Sequence, residues 1–305
     1  MNLAPIILFV YARPSHTQSS LSALQANPLA EHSDLFIYSD AAKTPQDEPA
    51  VAEVRTLISG IRGFKSATVI LRPHNFGLAA NIISGVTEIC NRHGKAIVLE
   101  DDIVVNPFFL SFMNHALDKY AEIKSVWHIS AWNYPIPIDT QEDGFFWRGM
   151  NCWGWGTWHD RWRHYQKNPG KLQAEWSSAK IKAFNIDGAH DFWFQVQQNQ
   201  LGKMNTWAIF WYATLFEHNG LCLNPSISFV ENIGHDGSGE HCEKQNAYLN
   251  PAQAISYRNL PDLVQESEFA VDRIRFFYRT RQTFLSRTKS MIRRLINDII
   301  RNNAT

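Results

Sequence analysis

Apolar positions near the N-terminus come in short solid runs, separated at steady intervals. Ile6 to Tyr11 is the first, "SDLFIYSD" (Ser33–Asp40) the second, "SATVILR" (Ser66–Arg72) the third and "KAIVLE" (Lys95–Glu100) the fourth. Runs of this length without strict alternation predict strands buried on both faces. Between them the period lengthens: 50–59 and 78–92 read as helices, the second opened by Gly77 and ended near Gly94. Arg13-Pro14 makes a turn, after which Ser15 or Thr17 would cap another helix. Strand alternating with helix predicts an α/β fold, a doubly wound and mostly parallel sheet flanked by helices. From about residue 125 to 241 the pattern is less regular and tryptophans concentrate. Residues 260–303 hold no Gly or Pro after Pro261 and read as a C-terminal helical extension. The expected organisation is a domain at 1–245, in halves 1–124 and 125–245, followed by the extension at 246–305.

Sheets of this kind bind ligands outside the carboxyl ends of their strands. Asp40 closes the second strand, Arg72 the third, and Glu100, Asp101 and Asp102 follow the fourth in "AIVLEDDIVVNPFF". Adjacent carboxylates repel, and burial raises the penalty. A hard divalent cation, Mg²⁺ or Mn²⁺, removes it by taking oxygen ligands together with phosphate oxygens. The competing reading is a solvated acidic turn.

The chain has 305 residues and is 45% hydrophobic, enough for one large core. Its aromatic share, 13%, serves mostly packing but favours a carbohydrate ligand, since exposed rings stack on sugars. Net charge is zero, and no nucleic-acid partner is expected; yet residues 270–305 carry nine Lys/Arg against Asp272 and Asp298, and the rest is correspondingly acidic. Ile274, Phe277, Tyr278, Phe284, Leu285, Met291, Ile292, Leu295, Ile296 and Ile299 recur at helical spacing with the arginines mostly off that stripe. A basic amphipathic helix over 270–301 could lie on an anionic membrane; packing on the catalytic domain or on a second subunit is the other reading. Cys90, Cys152, Cys222 and Cys242 show neither paired nor metal-ligand spacing and read as reduced thiols. The run 3–12 is too short for a membrane span, so a cytoplasmic protein is expected, peripheral at most.

"VLEDDIVVNPFFLSFM" resembles the metal-motif region of GT-A fold, nucleotide-sugar-dependent glycosyltransferases, closest to the N-acetylglucosaminyltransferase that initiates complex N-glycans and to bacterial surface-glycan transferases. The resemblance implies Asp102 as the direct metal ligand, with Glu100 and Asp101 on ribose or sugar hydroxyls. "VYARP" resembles the first strand and turn, with Arg13 at the nucleotide. Asp40 in "IYSD" falls at the position that reads the uracil edge. "LRPHNFGLAANI" resembles the segment after the third strand and implies Arg72 and Asn75 as donor contacts. "NCWGWGTW" resembles the loop beneath the donor sugar, implicating Gly154, Trp155 and Gly156, the bland reading being a tight turn with tryptophan in the core. "AHDFWF" resembles the base-bearing segment, with Asp191 at the base position, although Asp is also a common helix cap. The relative's Trp-Asp-Asp-Trp reads His190-Asp191-Phe192-Trp193 here, so a second carboxylate is lost and acceptor recognition should differ. "ENIGHDGSGEHC" resembles the loop that closes over the diphosphate. It offers His241 as a second metal ligand, with His235 as runner-up.

These readings converge on a metal-dependent inverting glycosyltransferase, moving a hexosyl or N-acetylhexosaminyl group from a UDP-sugar to a glycan hydroxyl, on a lipid-linked surface polysaccharide by analogy. A sugar nucleotidyltransferase is the nearest rival, but "YARPSH" lacks that class's glycine-rich phosphate loop. A non-catalytic sugar-binding protein is the other, and it would have no use for the triplet together with Asp191.

Overall fold

The computed structural model describes residues 2–137, 142–236, 248, 251–252 and 256–280. The four N-terminal runs are strands β1 (Ile6–Val10), β2 (Asp34–Ser39), β3 (Ser66–Leu71) and β4 (Lys95–Glu100), all mutually parallel. They alternate with α1 (Pro14–Gln25), α2 (Glu48–Ser59) and α3 (Gly77–His93). β1 is buried at every residue, which is why its sequence shows no alternation. α3 ends as its sequence suggests: Gly94 takes φ +81°, a conformation glycine reaches without strain, and its amide bonds the Cys90 carbonyl at 2.8 Å. α1 departs from expectation. Neither Ser15 nor Thr17 caps it; Pro14 occupies the first turn, where its missing N–H is no loss, and Thr17 Oγ1 donates back to the Arg13 carbonyl.

After β4 the chain makes a short strand, β5 (Ile103–Val105), then α4 (Phe109–Lys119), β6 (Val126–Ser130), β7 (Gly144–Trp147) and β8 (Trp155–Trp158). Helices α5 (His159–Trp162), α6 (Pro169–Glu175), α7 (Ser178–Phe184), α8 (Trp193–Gln200) and α9 (Ala208–Glu217) follow, then β9 (Leu221–Pro225) and β10 (Val230–Asn232). The main sheet runs β3-β2-β1-β4-β8-β6-β9-β7, with β8 and β7 antiparallel to their neighbours. The expected α/β architecture, a mostly parallel sheet flanked by helices, is therefore present. β5 and β10 pair separately as an antiparallel ribbon, Ile103 opposite Asn232. That ribbon carries the chain after β10 back over the end of β4.

Most tryptophans are structural. Trp155, Trp162, Trp207 and Trp211 lie in the sheet's core, while Trp176 and Trp193 stack at 5.2 Å in a smaller core among α6, α7, α8 and α9. His128 on β6 is fully buried; its Nδ1 accepts from the Trp211 indole at 3.1 Å, and its Nε2 lies 2.9 Å from the Asn151 carbonyl. Burial pushes its pKa down to about 3, so the ring is neutral.

The helix expected from residue 260 starts later. Residues 261–267 run along the edge strand β7, where the Ser267 amide bonds the Phe146 carbonyl at 2.8 Å and Glu266 forks onto Arg148. Helical backbone covers 268–280, and the predicted continuation from 281 lies outside the described residues. Ala270, Val271, Ile274, Phe277 and Tyr278 are buried in the main core. Burying each large apolar side chain stabilises by ~2 kcal/mol, against ~1 kcal/mol per basic residue at a membrane. The first turns of the apolar stripe therefore face the protein, not a membrane. No helix among the described residues is long and apolar enough to cross a membrane.

Candidate functional site

The carboxyl ends of β1 and β4 sit side by side, since Phe9 pairs with Glu100. Arg13, just before α1, therefore meets the carboxylates that follow β4. Its Nη2 donates to Asp101 Oδ1 and, at 3.0 Å, to Asp102 Oδ2. Asp101 also takes the Tyr11 amide at 3.4 Å, and its carbonyl takes the Ser20 hydroxyl at 2.8 Å. Both aspartates are almost fully buried. The acidic triplet is thus no solvated turn.

Charge is crowded here. Burial pushes Asp101 up to about 6; Arg13 opposes the rise and Asp102 adds to it. Glu100 is pushed up as well, by burial first and then by Asp102 and Asp101. Burial works to lower Arg13, but the two aspartates outweigh it and hold the guanidinium charged. One cation facing three carboxyl groups leaves an excess of negative charge.

The chain after β10 covers this point. The Ile233 amide donates to the Asp102 carbonyl at 2.9 Å, and a Cβ on Gly234 would overlap Asp102 Oδ2, so only glycine permits the approach. His16 on α1 meets Asp236 at 3.2 Å, holding this segment against α1. His235 packs edge-on to Trp153, ring centroids 5.5 Å apart. Both its ring nitrogens are shut off from water without a hydrogen bond among the described residues. No cluster of three or more His, Cys, Asp or Glu with the spacing of a complete metal site occurs among the described residues. His241 lies outside them.

The other expected site residues lie apart from this cluster, each with protein partners of its own. Asp40 is buried, with every carboxylate oxygen engaged: Oδ1 accepts from the Phe76 and Ala41 amides at 2.8 and 2.9 Å, Oδ2 from the Gly77 amide at 2.9 Å and Asn75 Nδ2 at 3.3 Å. It clasps the start of α3 to the end of β2. Asn75 completes the clasp through the Ala41 carbonyl at 2.7 Å. Arg72 bonds Asn81 and Ser84 on α3 and lies over the Tyr38 and Phe76 rings. Trp155 and Gly156 are interior residues of β8: Trp155 stacks on His128 at 5.3 Å, and Gly156 faces the Ala96 carbonyl of β4. Of the stretch that the resemblance implied as a loop beneath a sugar, residues 151–154 are outside any strand or helix and Trp155–Trp158 form β8. Gly154 takes φ +63° with Val230 and Phe109 against it, so it serves close packing. Asp191 is exposed before α8, where Oδ1 accepts from the Phe194 amide at 3.1 Å and Asn185 Nδ2 at 3.2 Å, the arrangement of a helix cap.

Arg13, Glu100, Asp101 and Asp102 are therefore brought together, with His235 beside them. His16, Trp153 and Gly234 join that site without having been singled out. The close approach at Gly234 depends on the β5–β10 pairing, which local pattern does not reveal.

No family model and no curated protein sequence matches the chain. Among solved structures, the chain is similar to mouse xyloside xylosyltransferase 1, apo form, at 11% identity and TM-score 0.37, covering 72% of this chain and 83% of that one. It is similar to S. aureus TarS at 8% identity and TM-score 0.41, covering 76% of this chain but only 37% of that one. A third is the mannosyltransferase PcManGT from Pyrobaculum calidifontis in complex with GDP-Man and Mn2+, at 10% identity and TM-score 0.36, covering 72% of each chain. Scores this low leave the assignment of function to the site itself.

Proposed function

We propose that the protein is a glycosyltransferase that moves a sugar from a nucleoside-diphosphate donor, a UDP-sugar, to a hydroxyl of a glycan acceptor with inversion at the anomeric carbon. The observation that carries this reading is the buried Arg13–Asp101–Asp102 constellation at the carboxyl edge of a parallel sheet, closed over by Gly234. A diphosphate needs cationic neutralisation at that edge, and Arg13 provides part of it.

The remainder fits a divalent cation. The three carboxyl groups crowded at Arg13, and the imidazole of His235, which makes no hydrogen bond among the described residues, make an oxygen-and-nitrogen donor set suited to Mn²⁺ or Mg²⁺. Asp102 would hold the ion, with His235 or His241 as the second protein donor. When bound, it would stabilise charge developing on the leaving diphosphate. Glu100 and Asp101 would take ribose or sugar hydroxyls. Asp191 would accept the proton of the attacking hydroxyl, its exposed place before α8 leaving it open to an acceptor. A surface glycan on a lipid carrier is the proposed acceptor.

The test is a donor screen with and without Mn²⁺. Release of nucleoside diphosphate in step with transferred sugar supports the reading. Formation of nucleoside triphosphate from donor and pyrophosphate would instead indicate a sugar nucleotidyltransferase. Calorimetry that finds no metal-linked UDP affinity would leave a sugar-binding protein.

A further inference from the structure

A second space lies across Trp153 from the carboxylates. It is a cavity of about 270 Å³, walled chiefly by Trp132, Tyr134, Trp153, Phe192, Tyr212 and Tyr278. Among the described residues no Asp, Glu, Lys or Arg lines it. The volume falls just below the range for drug-sized ligands, ~300–1,000 Å³, so it suits one ring rather than a chain of them. A diphosphate has no counter-charge in it.

The hydroxyls of three wall tyrosines are already engaged. Tyr134 and Tyr278 bond each other at 3.0 Å, and Tyr212 donates to the Phe184 carbonyl at 2.8 Å. What these residues add to the wall is aromatic surface, whose electron-rich faces attract polarised C–H groups. Two polar side chains remain in the wall, Asn151 and Gln195. Asn151 Nδ2 is shut off from water and so does not face the open space, which leaves the half-buried Gln195 as the amide a ligand oxygen can meet. Aromatic faces plus an amide, without charge, suit an uncharged pyranose.

Two links tie the cavity to the proposed transferase residues. Trp153 is shared: it lines the cavity, and its other neighbour is His235, next to the Gly234 that meets Asp102. The second link is along the chain: Phe192 lines the cavity and directly follows Asp191, the proposed base. We infer that this cavity is the acceptor subsite, that it takes a neutral pyranose, and that helix 268–280 forms part of it through Tyr278. The acceptor role rests on the transferase reading; the sugar binding does not. The C-terminal helix thereby becomes part of the substrate site.

Saturation-transfer NMR on the full chain tests this with methyl β-D-glucopyranoside, methyl β-D-glucuronide and benzyl alcohol, each with and without UDP and Mn²⁺. Gln195→Trp, at a half-buried position in the wall, fills the space; its melting temperature and UDP affinity report that fold and nucleotide site remain. The expected result is a glucoside signal that falls at least tenfold in Gln195→Trp and is at least tenfold weaker for the charged glucuronide. Glucoside binding that survives filling, or a glucuronide that binds equally well, overturns the subsite. Benzyl alcohol binding where glucoside does not would make it an aryl site and overturn it too. If Gln195→Trp unfolds, glucoside protection of Cys152 from alkylation in the parent protein, read by peptide mapping so that Cys242 is scored apart, decides the same point, because Cys152 lines the cavity while Cys90 and Cys222 are buried. Failed UDP binding alongside intact glucoside binding would sink the transferase reading and the acceptor role, and leave a neutral-sugar site. Intact UDP binding with no glucoside signal would sink the subsite alone.

Discussion

Arg13 and Asp102 stand 3.0 Å apart although 89 positions lie from one to the other along the chain, because β1 and β4 are neighbours in the sheet and both end there. The same guanidinium reaches Asp101. A cation arriving at Asp102 meets a carboxylate already shared with an arginine, so Asp102 is the residue on which the metal reading turns.

Asp102→Asn should abolish turnover and the Mn²⁺ dependence of UDP binding together. Removing one charge also frees Arg13 to pair with Asp101 alone, so the fold should hold. Thermal melting and calorimetry with UDP, with and without Mn²⁺, check both points. Unchanged Mn²⁺ dependence would show that Asp102 does not hold the ion.

Asp40→Ala should reduce stability far more than nucleotide affinity. The variant leaves the Phe76 and Gly77 amides without their acceptor, and an unsatisfied buried donor costs ~1–3 kcal/mol. A loss of ~3 kcal/mol in urea unfolding is expected for the pair. Weakened UDP binding in a variant of unchanged stability would restore Asp40 as a reader of the base and remove the clasp.

Asp40 also marks the limit of what the pattern reveals. β1, β2 and β4 and the helices between them were legible because burial on both faces writes solid apolar runs; β3 shows the same kind of run but is the edge strand and largely exposed, so there the expectation of burial on both faces was wrong. The acidic triplet was legible because three carboxylates crowded at the end of a buried strand demand positive charge nearby. A carboxylate that reads a base and one that holds two loop amides look alike in sequence; which donors arrive depends on the fold of residues 72–77. That Trp155 and Gly156 belong to a strand was illegible for a related reason. A Trp-Gly-Trp stretch fits a ligand loop and an antiparallel central strand equally well, and only the pairing of β8 with β4 and β6 decides. The cavity has no signature at all, since its walls come from widely separated segments of chain.

Asp191→Asn separates the two roles its position allows. The amide oxygen can still accept from the Phe194 N–H, so α8 keeps its cap. If the carboxylate is the base, turnover falls by roughly two to four orders of magnitude while donor binding stays intact. Full activity in a normally folded variant removes the base assignment and leaves the cap.

Metal binding should release protons. Asp101, pushed up to about 6, and Glu100, pushed up beside it, keep protons on the free protein at pH values where ordinary carboxyls have lost them. A dication displaces those protons, so Mn²⁺ affinity should rise with pH from about 5 upward. Calorimetry in two buffers of different ionisation enthalpy counts the protons. An affinity flat across that range would mean that the carboxyls are already ionised without the metal.

His128 gives a pH dependence of opposite origin. Its folded pKa, about 3, lies below the ordinary histidine value of ~6.5 because burial disfavours the imidazolium. The unfolded chain therefore binds a proton that the folded protein refuses. The contribution of this residue is fully present above ~6.5 and is lost as pH falls toward 3, at ~1.4 kcal/mol per unit. Asp101 and Glu100 act with the other sign, since groups raised by folding favour the folded state as pH falls through their values. The parent's net slope mixes the two, so the test compares it with His128→Gln. Gln cannot titrate and should lose stability at about pH 7.5, where the Trp211 and Asn151 bonds are disturbed. On going to about pH 4.5 it should then lose about 2–3 kcal/mol less than the parent, the two-unit drop below ~6.5 taken at that slope. Urea unfolding at both pH values measures the difference; parallel losses in the two proteins would mean that His128 carries no such penalty.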